Sequence, residues 1–172
     1  MRISAKQLIM ALTSMVLTLG VLWAAQRIYH TSVVDNPLVS QLGAIAGVRH
    51  AYVHQGAVVV TVNRQVDLMS VYQNVATNAN TALGHAPARI VIKNNPNPAL
   101  TALSRNAEFV VAQGEATGQY VAMKKAIEYL ASQHYAGVAV EMDRHHVYLT
   151  FTQHQYVVYD VIPITIGGSG RA

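Results

Sequence analysis

The sequence predicts an α+β protein with an N-terminal transmembrane helix. Three observations lead to this fold class. Apolar residues recur at helical spacing in some segments, they alternate with a period of two in others, and the polar run NNPNP divides the pattern into two halves. We therefore expect an α-β-β-α-β module over residues 36–94, followed by a helical segment with a three-stranded antiparallel meander over residues 95–165.

The first half is expected to begin with a helix. Asn36 suits the N-cap, Pro37 suits the first turn, and Gly47 ends the helical spacing. Two strands, VRHAYV and AVVVTV, follow on either side of a glycine-containing turn at residues 54–56. Asp67 is expected to begin a second amphipathic helix, and ARIVIK supplies the third strand.

In the second half, helical spacing resumes near Ala99 and its apolar face continues up to Gly114, and Thr117 and Gly118 interrupt the pattern. We interpret the segment GEATG as a helix break, because glycine weakens a helix; close approach of its backbone to a ligand is the alternative. A further helix ends near Gly137, and three strands of period two follow, VAVEM, VYLTF and YVVYDVIPI. Residues 166–172 are expected to be a flexible tail.

The apolar run LIMALTSMVLTLGVLWAA, residues 8–25, contains no charged side chain. As a helix it would rise about 27 Å, close to the hydrocarbon thickness of a bilayer. Arg2 and Lys6 precede it and Arg27 follows it, a charge bias that predicts a cytoplasmic N-terminus. A cleaved secretory signal is the alternative, but the run exceeds the usual length of a signal-peptide core.

From this segment we predict the organisation of the whole chain. Residues 1–7 are the cytoplasmic N-terminus, residues 8–25 are a signal-anchor, and residues 26–35 are a connector. The predicted location is the cell membrane, with a single pass and an extracytoplasmic C-terminal region.

Charge and cysteine content exclude some classes of protein. The chain has 12 Lys and Arg, of which three flank the apolar run, so nine remain against the eight Asp and Glu of the outer region. This near balance lacks the basic excess of a phosphate-binding surface, and we expect no nucleic-acid partner. Without cysteine there is neither a disulfide framework nor thiol chemistry.

Histidines and acidic residues cluster in the stretch from Glu141 to Tyr159, which raises the possibility of a metal or acid–base site. The strand pattern argues against it, because His146 and His154 would lie about 26 Å apart at opposite ends of a strand. His50 and His54 would likewise lie about 13 Å apart. We therefore interpret the polar residues around His145 as solvated turn residues, and we predict no metal, cofactor or catalytic residue. The motifs HExxH, GxSxG and GxxxxGK[ST] do not occur.

The run LGAIAGVRHAYVHQGAVVVTVN, with the helix and the strand ARIVIK after it, resembles ring-building motifs and BON-like modules of bacterial envelope and sporulation proteins. The matching features are the helix that ends at Gly47 and the hairpin of residues 51–62. The resemblance implies self-association or scaffolding and carries over no catalytic residue.

The function predicted from the sequence is that of a non-catalytic single-pass membrane protein with an extracytoplasmic interaction or assembly module. The expected partners are the lipid bilayer and either another protein or a second copy of the chain. The alternative is a membrane-tethered enzyme, or a binder of a small ligand, with a site that the sequence does not reveal.

One face of the C-terminal meander is predicted to be a possible interaction face. If Leu149 faces the helices, the opposite face carries more apolar surface than a solvated sheet requires. We expect this face to dock another copy, the first half of the chain, or a partner protein. The residues that form it are Tyr148, Val157, Tyr159 and Val161.

Overall fold

The computed structural model describes residues 14–23, 36–54 and 56–165. It confirms the prediction of a mixed α+β protein. The first helix, α1, covers residues 14–23. The elements that follow it are α2 (Asn36–Gly43), β1 (Val48–His54), β2 (Ala57–Val62), α3 (Leu68–Leu83), β3 (Arg89–Ile92), α4 (Pro98–Thr117), α5 (Tyr120–Gln133), β4 (Gly137–Met142), β5 (His146–Gln153) and β6 (Tyr156–Pro163).

The strands form two three-stranded sheets. Sheet 1 has the order β1-β2-β3, in which β1 and β2 are antiparallel and β2 and β3 are parallel. Sheet 2 is the antiparallel meander β4-β5-β6. We call residues 36–93, which contain sheet 1 with α2 and α3, the first unit, and residues 97–165, which contain sheet 2 with α4 and α5, the second unit.

Each sheet buries one face against helices of its own unit. Alternate residues of sheet 1, such as Val58 and Val60, are fully buried together with Leu38 of α2 and Val75 of α3. In sheet 2, Leu149 is fully buried among residues of α4 and α5. Two hydrophobic clusters therefore form the core, as the period-two and helical spacings require.

The structure corrects the prediction of a transmembrane helix over residues 8–25. Within that segment the structure describes residues 14–23, which are helical. Among the described residues, no helix is both long and apolar enough to cross a membrane. The prediction of a single-pass membrane protein with an anchored extracytoplasmic module is therefore wrong. Residues 1–13 and 24–35, and the predicted tail at 166–172, lie outside the described residues.

The predicted helix break within the GEATG segment is confirmed, and it lies at the end of that segment: α4 continues to Thr117 and is capped by Gly118, which has a φ of 67°. Gly114 lies inside the helix at the crossing with α5. A β-carbon at this position would lie 2.8 Å from side-chain atoms of Met123. The glycine is there to let two helices approach closely, and neither a chain break nor a ligand accounts for it.

This close approach predicts that Gly114→Ala destabilises the protein. Overpacking a well-filled core costs about 1–3 kcal/mol. Gly43→Ala is the matched control, since Gly43 is also helical and has no atom within 4 Å of an added β-carbon. Gly114 lies inside α4 and gains helix propensity as alanine, whereas Gly43 is the last residue of α2, so the difference in unfolding free energy between the two variants is a lower bound on the packing cost. Urea denaturation should place Gly114→Ala about 1–3 kcal/mol below Gly43→Ala, and equal stabilities would refute a tight crossing.

Candidate functional site

A groove of ≈ 670 Å³ lies between the two sheets. Strand β3 forms one wall, β6 forms the opposite wall, and α3 contributes to the floor. The side chains of the floor are mostly small or aromatic. The residues that line the groove are Tyr72, Ala76, the segment 86–92, Asn94, His146, the segment 159–161 and Pro163.

One end of the groove is closed where the chain passes from sheet 1 to sheet 2. The Lys93 N–H still donates to the Val60 carbonyl of β2, at 2.8 Å. Two residues later, Asn95 and Val157 of β6 exchange two main-chain hydrogen bonds, each 2.9 Å long. The chain therefore changes its strand partner within three residues, and the two walls diverge from that point.

The side chain of Asn94 fills the next position along β6. Its Oδ1 accepts from the Tyr159 N–H at 2.8 Å, and its Nδ2 donates to the Tyr159 carbonyl at 3.3 Å. A primary amide offers an N–H donor and a C=O acceptor, as a peptide group does. The Asn94 side chain therefore hydrogen-bonds both main-chain groups of Tyr159, as a neighbouring strand would. Beyond Tyr159 this edge of β6 has no strand partner within the described part of the chain.

The wall formed by β3 also exposes main-chain groups to the groove. Successive residues of a strand direct their N–H and C=O groups to opposite sides. Since the N–H of Lys93 bonds to β2, the main-chain groups of Arg89 and Val91 also point towards β2. Ile90 and Ile92 therefore direct their main-chain groups into the groove. The same alternation applies to β6. Because the main-chain groups of Val157 point towards Asn95, those of Val161, four residues later, lie on the same side of β6 and face the groove.

At the other side of the floor, three rings pack together. The ring centroids of Tyr72 and His146 are 5.3 Å apart, those of Tyr72 and Tyr148 are 5.7 Å apart, and those of His146 and Tyr148 are 5.8 Å apart. Tyr72 belongs to α3 of the first unit, whereas the other two belong to β5 of the second. The aromatic cluster therefore fixes the floor of the groove across the boundary between the units.

Asp143, in the turn between β4 and β5, holds this cluster in place. Its carboxylate accepts from the Tyr148 hydroxyl at 2.7 Å, from the main-chain N–H groups of His145 and His146, and from Gln73 of α3 at 2.9 Å. Burial alone would raise the pKa of Asp143, but these four donors together hold the pKa well below its usual value. Burial, and then the hydrogen bond to this carboxylate, raise the pKa of Tyr148.

The acidic residue of the opposite wall is directed away from the groove. The carboxylate of Asp160 accepts from the hydroxyl of Ser104 on α4 at 2.6 Å. Burial raises the pKa of Asp160, and the negative charge of Glu108 raises it further, while the Ser104 hydrogen bond lowers it. The Asp160 carboxylate is therefore engaged by α4.

Three of the four residues of the predicted interaction face are buried, and the fourth, Val161, is half-buried beside the groove. Tyr148, Val157 and Tyr159 are buried in the same hydrophobic cluster as α2, α3 and sheet 1, and Val161 packs against that cluster. The Tyr159 hydroxyl also donates to the Asn63 carbonyl at 3.1 Å. This face of sheet 2 is therefore covered by the first unit of the same chain.

The histidines and acidic residues singled out in the sequence are mostly dispersed. His50, His54, His145 and His154 are exposed. In the ranges that the structure describes, no three histidine or acidic side chains come close enough to share a metal ion. The interpretation of the first turn as merely solvated is wrong for Asp143 and His146, because both make contacts with α3.

The groove has no direct signature in the sequence, since its walls come from strands that are far apart in the chain. One signal was present in the NNPNP run. Asparagine at positions 94 and 95, before a proline, is typical of a segment whose side chains satisfy neighbouring main-chain groups, although composition alone predicts only a linker there.

No protein-family model, no curated protein and no solved structure matches this chain. The resemblance of residues 36–93 to ring-building-motif and BON-like modules therefore stays a prediction.

The hydrogen bonds of Asp143 predict a pH-dependent contribution to stability. The folded state keeps this carboxylate ionised at pH values where the unfolded chain binds a proton, so the contribution is present above the usual pKa near 3.8 and is lost as the pH falls below it. Asp143→Asn should lower the unfolding free energy by about 1.5–3 kcal/mol at pH 7. The difference from wild type should shrink in urea titrations below pH 3. Glu128→Gln, on the exposed surface of α5, should show no such change, and a loss that is equal at both pH values would contradict this account.

The burial of the two tyrosines predicts loss of folding when both are truncated. Tyr148 and Tyr159 are 1% and 5% exposed. Replacing both by serine removes two aromatic side chains from the contact between the units, at about 3–5 kcal/mol each, which is comparable with the whole stability of a domain. Circular dichroism should show loss of the cooperative thermal transition. A folded double variant with altered self-association would instead indicate an external docking face.

Proposed function

We propose that this protein binds an extended segment of a protein partner, which adds as a strand to β3 inside the groove between sheets 1 and 2. The observation that carries the proposal is that unpaired main-chain groups of two strand edges, from Ile90 and Ile92 on β3 and from Val161 on β6, face the same groove. A peptide strand supplies the complementary donors and acceptors along its length. The proposal is a binding function and assigns no catalytic role.

Of the two free edges of sheet 1 in the described residues, that of β3 is better suited to strand addition than that of β1. The edge of β1 has an irregular register between Val48 and His50 and carries exposed basic and polar side chains. Bulges and charged side chains are features by which proteins protect edges from unwanted pairing. Ile90 and Ile92 of β3, by contrast, present apolar side chains beside the groove floor.

The dimensions of the groove agree with a short extended segment. Strand β3 has four residues, so it can pair with about 13 Å of a partner strand. Ala76, Ala86 and Ala88 line the floor and the adjoining loop, and their small side chains leave room for larger ones on the bound segment. The Asn94 amide closes the groove at one end and thereby limits the length of the strand that can enter.

The proposal predicts that Ile90→Pro abolishes binding without unfolding the protein. Proline removes the N–H that faces the groove and places its ring in the path of the bound strand. The fold should survive, because β3 is an edge strand and the preceding residue, Arg89, has the extended conformation that proline requires. The full chain is used to select linear peptides from a random displayed library, and the affinities of the recovered peptides are measured by isothermal titration calorimetry. Ile90→Pro should weaken binding by about tenfold or more.

Val140→Pro is the matched control. The Asp143 N–H donates to the His146 carbonyl of β5, so by alternation Val140 of β4 directs its N–H away from the sheet. Val140 is half-buried like Ile90, but it lies on a different free edge. Its variant should bind the recovered peptides as wild type does. Failure to recover any peptide, or equal binding by Ile90→Pro, would refute the proposed function.

A further inference from the structure

We infer that the bound segment, the guest strand, carries an acidic side chain opposite Arg89, an apolar side chain opposite Val91, and an apolar side chain between them that faces the groove floor. The inference rests on the proposed function and specifies the chemistry of the partner. It follows from the register of sheet 1 and from the charges that surround the groove.

The register of sheet 1 places side chains in rows that cross the strands on its outer face, the face turned away from α2 and α3. One row joins Tyr52 of β1, Val59 of β2 and Val91 of β3. A strand added to β3 would extend this row by one residue. An apolar guest residue opposite Val91 would pack against a half-buried valine, as cross-strand pairs in a sheet do.

The next row joins His54, Ala57 and Arg89. Arg89 is exposed at the outer end of β3, and no salt bridge involves it in the part of the chain that the structure describes. A guest residue directly opposite would have its β-carbon about 4.5–5.5 Å from that of Arg89. Aspartate or glutamate at this position would pair with the guanidinium.

The residue between these two positions faces the other way, because side chains alternate along a strand. It would lie beside Ile90 and over the floor near Ala76 and Tyr72. The floor offers an aromatic edge and the space left by an alanine. A large aliphatic or aromatic side chain fits this position, and the guest motif is acidic, then large apolar, then apolar, or the reverse if the strand runs the other way.

The charge distribution of the first unit favours an acidic partner. Its basic residues are Arg49, Arg64, Arg89 and Lys93, against the single acidic residue Asp67. The Asp67 carboxylate is occupied, since it accepts from the Ser70 N–H and hydroxyl at the start of α3. Asp160, on the opposite wall, directs its carboxylate to Ser104. At the floor the ionised carboxylate of Asp143 is engaged by its four donors, so the charge that a guest strand meets at the β3 edge is the positive charge of Arg89.

The test uses the peptides recovered with the full chain from the random library. An acidic residue should be enriched two positions from an apolar one. In a synthetic recovered peptide, replacing that acidic residue by its amide should weaken binding to wild type about twofold to fivefold. With the Arg89→Gln variant of the protein, the acidic peptide and its amide form should bind equally well. Selection with Arg89→Glu should recover lysine or arginine at the same position.

Arg49→Gln is the control, because it removes the same charge from the opposite edge of sheet 1 and should keep the preference for the acidic peptide. Peptides that bind, are sensitive to Ile90→Pro and show no acidic preference would overturn this inference while the proposed function stands. If Arg49→Gln abolishes the preference as Arg89→Gln does, long-range attraction explains it and the pairing with Arg89 is refuted. Recovery of no proline-sensitive peptide would refute the proposed function as well.

Discussion

The structure depends on the point at which the chain leaves sheet 1 and joins sheet 2. Lys93 still bonds to β2, Asn95 already bonds to β6, and the amide of Asn94 satisfies Tyr159 between them. Main-chain hydrogen bonds are directional, so this crossing fixes how the edge of one sheet lies against the edge of the other. A flexible linker would leave the two units free to separate, whereas this segment forms part of both sheets.

The crossing alone would not hold the units together, and burial of the second face of sheet 2 completes the contact. Tyr148 and Tyr159 occupy the hydrophobic cluster of the first unit, and Asp143 ties the turn before β5 to Gln73 of α3. The carboxylate is only partly screened from solvent, but four donors converge on it. Sheet 2 is thus covered on both faces, while the outer face of sheet 1 and the edge of β3 stay open. This asymmetry leaves a groove into which the free edges of β3 and β6 both face, an arrangement suited to the proposed strand addition.

Much of the fold could be predicted from local patterns. Period-two alternation located the strands, and the capping residue Asp67 marked the start of α3, where its side chain accepts from the Ser70 N–H. The structural role of a glycine in a helix is harder to predict from the sequence. Gly118 ends α4 with a left-handed φ, but Gly114 lies inside the helix because Met123 packs against it. A glycine that ends a helix and one that admits a neighbouring helix look alike in a sequence, since both follow from the missing β-carbon.

The sequence by itself determined the α+β class, the order of the elements from residue 36 onward, and the excess of apolar surface on one face of sheet 2. These properties depend on neighbours within a few residues, where spacing and conformation are directly linked. Only the tertiary structure decided that the first unit covers that face, that Asp143 and His146 contact α3, and that β3 and β6 form the walls of one groove. Those contacts join residues 65 to 96 positions apart in the chain, for example Asn94 with Tyr159, Gln73 with Asp143 and Asn63 with Tyr159. Their pairing follows from how the two sheets pack, and local periodicity carries no information about it.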